Sequence, residues 1–184
     1  NVAQQKAEEL KKQLGTGKVL IALSGGSDSS VVAYLLKAAT GGESGRLKGI
    51  YIRGIDRPDD EAFVRKYFGA QFWIDVEIVD ATREFLEALA GKTAMREKRI
   101  AMRGIYQKVL EEKAEHWGAN FIAQGTLYTD LRESGLGNET GARVAEIKVH
   151  HNTGIDFALP EIAPLSSEVK DSARAIGRSL GVPE

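Results

Sequence analysis

Apolar and polar positions alternate along the chain in two rhythms. Val2, Ala3, Ala7, Leu10 and Leu14 recur at helical spacing among charged residues, which predicts an amphipathic helix over 3–14 closed at Gly15. Lys18 to Leu23 is short, continuous and apolar, as in a strand buried on both faces. A Ser/Gly loop follows, then a helical stretch from Val31 to Lys37 and a surface loop from Gly41 to Gly45. The alternation repeats, with strands over 47–52, 72–79 and 120–124 and helices over 59–68, 82–89 and 95–117. Val144 to Val149 is a further strand candidate and Ser166 to Leu180 a closing helix. Residues 125–145, rich in Gly, Thr, Asn and Glu, are too long for a simple connector, and loops of that kind usually carry function or are mobile.

Strands alternating with helices imply parallel pairing through right-handed crossovers. The expected fold is a doubly wound, mainly parallel α/β sheet with helices on both faces, in a single domain over 1–184. Ligands of such sheets bind at the carboxyl ends of the strands, near a switch point.

Composition narrows this little. The 184 residues carry a net charge of -1, with 42% hydrophobic and 28% charged residues, the profile of a soluble globular protein. Without a basic excess, neither a nucleic-acid nor a membrane surface is expected. There are no cysteines, which excludes disulfides, thiolate metal sites and a cysteine nucleophile and fits a cytoplasmic setting. No apolar run approaches the roughly 18 residues needed to span a bilayer. The basic run Arg96, Lys98, Arg99 and Arg103 reads either as a solvated helix face partnered by Glu97 or as a phosphate contact.

The chemistry concentrates in Ser24-Gly25-Gly26-Ser27-Asp28-Ser29-Ser30, between a strand and a helix. Paired glycines let the backbone turn tightly and approach a ligand with no Cβ in the way. The following helix offers free N–H groups and the positive end of its dipole. The hydroxyls of Ser24, Ser27, Ser29 and Ser30 add donors, so the string suits a phosphate or pyrophosphate. Asp28, an anion beside an anion, makes sense with Mg²⁺ between carboxylate and phosphates. The plain alternative is a Gly turn before a helix capped by Asp or Ser. The string is neither a Walker loop nor a dinucleotide fingerprint, and Gly15-Thr16-Gly17-Lys18 precedes the strand and reads as a turn.

Ser-Gly-Gly-x-Asp-Ser resembles the pyrophosphate loop of the N-type ATP pyrophosphatases. Further segments resemble GMP synthetases in the same order: Asp80 to Gly91, Ala123 to Asp130 with Glu133-Ser134, Ile147 to Asn152, Pro164-Leu165, Lys170-Asp171 and Leu180 to Glu184. The resemblance implies an adenine nucleotide α-hydrolase-like fold and an ATP-dependent, AMP-forming ligase. The 2-oxygen of xanthosine monophosphate attacks the α-phosphorus of ATP, pyrophosphate leaves, and ammonia then displaces AMP to give GMP. It further implies ATP and Mg²⁺ at the loop, with Gly125 and Thr126 bordering the nucleotide. Asp28 and Asp130 are the implied metal carboxylates, and Lys148 faces the nucleotide phosphates. Arg99, Glu133, Ser134, His150, His151 and Asn152 fall on the acceptor side. Adjacent strand residues point to opposite faces, so His150 and His151 do not form one metal site.

The sequence departs from the family in four places. Ser27 stands where an aliphatic residue is usual. Arg53-Gly54-Ile55-Asp56-Arg57-Pro58 replaces an Asp-Asn-Gly-Leu-Leu-Arg type stretch beside ATP. Arg132 replaces an apolar residue of the acceptor-side loop. The sequence ends at Pro183-Glu184, where GMP synthetases continue into a dimerisation domain. With no glutaminase domain, ammonia is expected from a separate glutaminase subunit or from solution, and an oligomer remains compatible. Two alternatives stay open: an ATP pyrophosphatase with another acceptor (a different nucleotide, a carboxylate or a tRNA base), and a non-catalytic adenine-nucleotide-binding protein.

Overall fold

The computed structural model describes residues 1–24, 26–54, 57–125 and 157–183. Helix α1 (Val2–Leu14) is capped by Asn1, whose Oδ1 accepts from the Ala3 N–H at 2.8 Å, and ends at Gly15 with φ 56°. Then come β1 (Val19–Leu23), α2 (Ser27–Thr40), β2 (Leu47–Arg53), α3 (Asp60–Phe68), β3 (Asp75–Asp80), α4 (Thr82–Leu89) and α5 (Met95–Trp117). After β4 (Phe121–Ala123), the short β5 (Glu161–Ile162) and α6 (Lys170–Leu180) complete the described elements.

Among the described residues, five strands form one parallel sheet in the order β3-β2-β1-β4-β5. The chain builds outward from β1 to β3, then returns to the other side of β1 to lay down β4. The switch point therefore lies between β1 and β4, which pair from Val19↔Phe121 to Ile21↔Ala123. Every residue of β1 is buried, because alternate side chains enter two different cores. Val19, Ile21 and Leu23 pack with α1, α2, α3 and α6, whereas Leu20 and Ala22 pack with Phe85 of α4 and with Leu110 and Ala114 of α5. That two-sided burial is the doubly wound arrangement expected from the uninterrupted apolar run.

Several boundaries differ from the sequence reading, each for a local reason. Helix α2 starts at Ser27 rather than Val31, since Gly26 in an extended conformation (φ -77°, ψ 154°) already serves as its N-cap. Strand β3 starts at Asp75 rather than Phe72. Trp73 is drawn out of the strand into an aromatic cluster, with Tyr34 at 5.4 Å and Phe68 at 6.1 Å, while Phe72 is left 77% exposed. Edge-to-face pairs of that kind contribute about 0.5–1.5 kcal/mol each beyond area burial. Helix α6 starts at Lys170 rather than Ser166, because buried Leu165 anchors a turn in which the Ser166 N–H donates to the Ala163 carbonyl at 3.1 Å. Strand β5 follows Pro160, which is tolerated at a strand's first residue, and is too short to show a period. The strand expected over 144–149 lies outside the described residues. Gly15 to Lys18 is a turn, with the Gly17 N–H on the Leu14 carbonyl at 2.8 Å. Among the described residues, no helix is long and apolar enough to cross a membrane.

Candidate functional site

Strand β1 ends at Leu23, and the chain turns through Ser24 to Gly26 into α2. The turn is held by hydroxyls. Ser29 Oγ accepts from the Ser24 N–H at 3.0 Å, lies 3.1 Å from Ser24 Oγ, and is within donating distance of the Ser24 carbonyl at 3.2 Å and the Gly26 carbonyl at 3.3 Å. Ser30 Oγ donates to the Gly26 carbonyl at 3.4 Å, and the Gly26 N–H donates to Ser24 Oγ at 3.2 Å. Ser29 and Ser30 are buried, whereas Ser24, Gly26 and Ser27 are exposed. The serines thus divide: the hydroxyls of Ser29 and Ser30 brace the turn, while Ser24 and Ser27 are exposed.

The capping alternative fails here on geometry. The N-cap of α2 is Gly26, which has no side chain to satisfy the first-turn N–H groups, and Asp28 sits inside the first turn. A 14-residue helix start without a side-chain cap carries the positive end of its dipole, the kind of place where anions bind.

Gly125, just past β4, meets this turn from the other side of the switch point. A Cβ on Gly125 would lie 2.8 Å from Asp28 C and Ser29 N and 3.0 Å from Asp28 O. Only glycine allows this backbone-to-backbone approach. Two segments far apart in sequence, both singled out from it, are thus joined at the carboxyl end of the sheet. Beside it, Gln124 is 6% exposed and donates from Nε2 to Glu161 Oε2 at 2.6 Å, tying the end of β4 to β5.

A cavity of about 310 Å³ opens from the turn, between α2 and α6. Ser27, Asp28 and Val31 line one wall, and Ala173, Arg174 and Arg178 the other. The helices approach closely because position 177 is glycine; a Cβ there would meet Val31 Cγ2 at 2.9 Å. No residue of α6 was singled out from the sequence as a site candidate. The available signal was the i,i+4 spacing of Arg174 and Arg178, which puts both guanidiniums on one helix face.

The half-buried Asp28 carboxylate, at the mouth of this cavity, is a hard oxygen donor of the kind Mg²⁺ prefers. Among the described residues no group of three or more His, Cys, Asp or Glu comes together. A single protein carboxylate fits an ion that completes its shell with phosphate oxygens and water.

The divergent stretch after β2 is clamped. Arg53 donates from Nε and from its terminal amino nitrogen to the two oxygens of Glu61, at 2.7 and 3.0 Å, and lies 3.4 Å from Asp80 Oδ2. Arg65 Nε donates to Glu61 Oε2 at 2.9 Å. Hydrogen bonds from Arg53, then Arg65, hold the Glu61 carboxyl below the usual carboxylate range. The Thr82 hydroxyl and N–H, at 2.7 and 3.0 Å, do the same for Asp80. Gly54, at φ 142°, takes a left-handed turn against Phe85, whose Cδ2 would be 2.5 Å from an added Cβ. Since Leu23 pairs with Tyr51, Arg53 stands level with the start of the anion turn on the neighbouring strand.

Arg99 is exposed near the start of α5, on the opposite face of the sheet from α2, and does not line the cavity. Gly25, Ile55, Asp56, Thr126, Asp130, Arg132, Glu133, Ser134, Lys148, His150, His151 and Asn152 lie outside the described residues.

A parallel sheet with an uncapped, glycine-lined helix start at its switch point is the arrangement found in nucleotide-binding α/β domains. The model of the NAD synthase family matches residues 3–113. A glutamine-hydrolyzing GMP synthase from Prochlorococcus marinus (strain MIT 9515) is 40% identical over 184 residues, covering 95% of this chain and 34% of that protein. One from Thermosynechococcus vestitus is 42% identical over 188 residues, with 96% and 34% covered. The chain spans about a third of the length of the curated relatives it matches. Among solved structures, an NH3-dependent NAD synthetase from Campylobacter jejuni superposes with a TM-score of 0.68 at 15% identity, covering 98% of this chain and 72% of that one. A U34-tRNA thiolase from Methanococcus maripaludis gives 0.65 at 20% identity, with 98% and 63% covered. The chain belongs to the NAD synthase family, with the N-type ATP pyrophosphatase fold.

Proposed function

We propose that the chain binds ATP at the turn after β1 and adenylylates xanthosine monophosphate, which ammonia then converts to GMP. The observation that carries the ATP reading is the junction of Gly125 with the uncapped start of α2. It puts the uncapped helix start, through Ser27 and Asp28, beside a cavity, where the negative charge of a departing pyrophosphate would be stabilised by a fixed dipole. The acceptor is taken from the GMP synthase relatives, which are about 40% identical along nearly the whole chain.

The chemistry balances as two displacements. The 2-oxygen of the purine bonds to the α-phosphorus as the bond to the β-phosphate oxygen breaks, releasing pyrophosphate. Ammonia then bonds to C2, AMP leaves with that oxygen, and the nitrogen gives up its extra proton. In this reading Ser27 and the first-turn N–H groups hold phosphate oxygens, while Ser29 and Ser30 keep the turn in shape. Asp28, with Asp130, would hold Mg²⁺, which supplies charge neutralisation between carboxylate and phosphates. Lys148 is assigned to the phosphates, Thr126 to the nucleotide, and Arg99, Glu133, Ser134, His150, His151 and Asn152 to the acceptor side. A separate glutaminase subunit, or dissolved ammonia, would supply the nitrogen.

A second reading, adenylylation of another acceptor, is favoured by one feature. The strand end level with the anion turn carries the Arg53–Glu61 clamp in place of the family's stretch. The test is to incubate the protein with magnesium, ATP, xanthosine monophosphate and ammonium, and to quantify pyrophosphate and GMP. Equal amounts of both are expected. ATP binding with neither product would overturn the acceptor assignment, and failure to bind ATP would overturn the whole reading.

A further inference from the structure

The turn itself is short of positive charge. Residues 24–30 contain no Lys or Arg and one Asp. A helix start supplies only about half an elementary charge. The turn therefore brings little positive charge of its own. A triphosphate or pyrophosphate is a multiply charged anion, so cations must come from elsewhere.

The opposite wall of the same cavity carries them. Arg174 and Arg178 of α6 line it together with Ser27 and Asp28. Arg178 makes no ion pair among the described residues, and Arg174 has only a loose partner, Asp171, 3.9 Å away and itself 96% exposed. Neither guanidinium is spent on the fold. Their placement is fixed by backbone: Gly177, between them, lets α6 settle against Val31 one turn below Ser27. The apolar side chains of Val31 and Ala173 line the space between, and both arginines are exposed, so their guanidiniums are accessible to a ligand entering from solvent.

We propose that Arg174 and Arg178 form a second wall of the anion site and hold the phosphates of the leaving group of ATP. This rests on the ATP reading above and extends it to a helix that the sequence motifs leave out. Guanidinium forks suit phosphate oxygens better than an ammonium does, because they can donate two parallel hydrogen bonds.

The test titrates the protein by calorimetry with inorganic pyrophosphate, adenosine and xanthosine monophosphate in turn, for the wild type and for Arg174→Gln, Arg178→Gln and Arg174→Lys. The Gln variants are expected to weaken pyrophosphate about tenfold or more, the scale of a lost charge-assisted hydrogen bond. The Lys variant should recover part of that loss, and adenosine affinity should not change. Pyrophosphate binding at wild-type strength in both Gln variants would overturn the proposal. So would parallel loss of adenosine, which would mark a purely structural role, or weakening of xanthosine monophosphate alone, which would move the arginines to the acceptor. A wild type that binds neither pyrophosphate nor adenosine would overturn the ATP reading itself.

Discussion

Gly125→Ala is the sharpest probe of the site. The added methyl carbon would sit 2.8 Å from Asp28 C and Ser29 N, where ordinary contacts begin near 3.4 Å. The neighbours are backbone atoms in the first turn of α2, so no side chain can swing aside. Either the end of β4 or the start of α2 must move by about 0.6 Å, a shift of the size that separates productive from unproductive site geometry. Overpacking of one methyl costs about 1–3 kcal/mol of stability. In a chain of this length, each of those kcal/mol lowers the melting temperature by about 2–4 °C. The effect on ATP should exceed the effect on folding, because the displaced groups are the N–H donors themselves; a 1 Å misplacement can cost about a hundredfold in rate. Calorimetric titration with ATP and a thermal melt would measure the two separately. Wild-type affinity for ATP in Gly125→Ala, with an unchanged melt, would refute the convergence of these two segments.

Three further outcomes follow from the same geometry. Ser29→Ala removes the buried hydroxyl that bridges Ser24 and Gly26, leaving the Ser24 N–H without its acceptor, and should cost about 1–3 kcal/mol in urea unfolding. Asp28→Asn should abolish ATP-dependent pyrophosphate release, and unchanged release would remove the metal role assigned to it. Glu61 has a depressed pKa in the folded state, so the stability it contributes is present above its ordinary 4.5 and lost as pH falls through the lower folded value. The stability gap between wild type and Glu61→Gln should therefore be constant near neutrality and close on the acid side of 4.5; a gap that persists or widens in acid would contradict the Arg53–Glu61 clamp.

How much of this was legible in the sequence depended on whether the signal was local. The apolar run of β1 announced a strand buried on both faces because each of its side chains enters a core, and the parallel sheet followed from the alternation around it. The turn after β1 was legible because its glycines and hydroxyls are consecutive residues between a strand and a helix. What resisted reading was set by partners distant in sequence. Trp73 left its strand for Tyr34 and Phe68, and Leu165 delayed the start of α6 by anchoring a turn. Glu161 and Ile162 form a strand because β4 offers them an edge, not because two residues show a period.

The same distinction separates the parts of the candidate site. Gly25 to Ser30 could be read as a unit, but Arg174 and Arg178 gain meaning only when α6 is laid against α2, and that depends on the absent Cβ of Gly177. The Arg53 stretch is the inverse case. In the sequence it is only a departure from the family, whereas in the fold its positive charge is already engaged by Glu61 and Asp80. A guanidinium held by both oxygens of one carboxylate is poorly placed to release that partner for a phosphate, since breaking the pair would leave Glu61 with Arg65 alone. Arg53 thus stiffens the end of β2 level with the turn, whereas Arg174 and Arg178 of α6 line the cavity with neither engaged in a close ion pair.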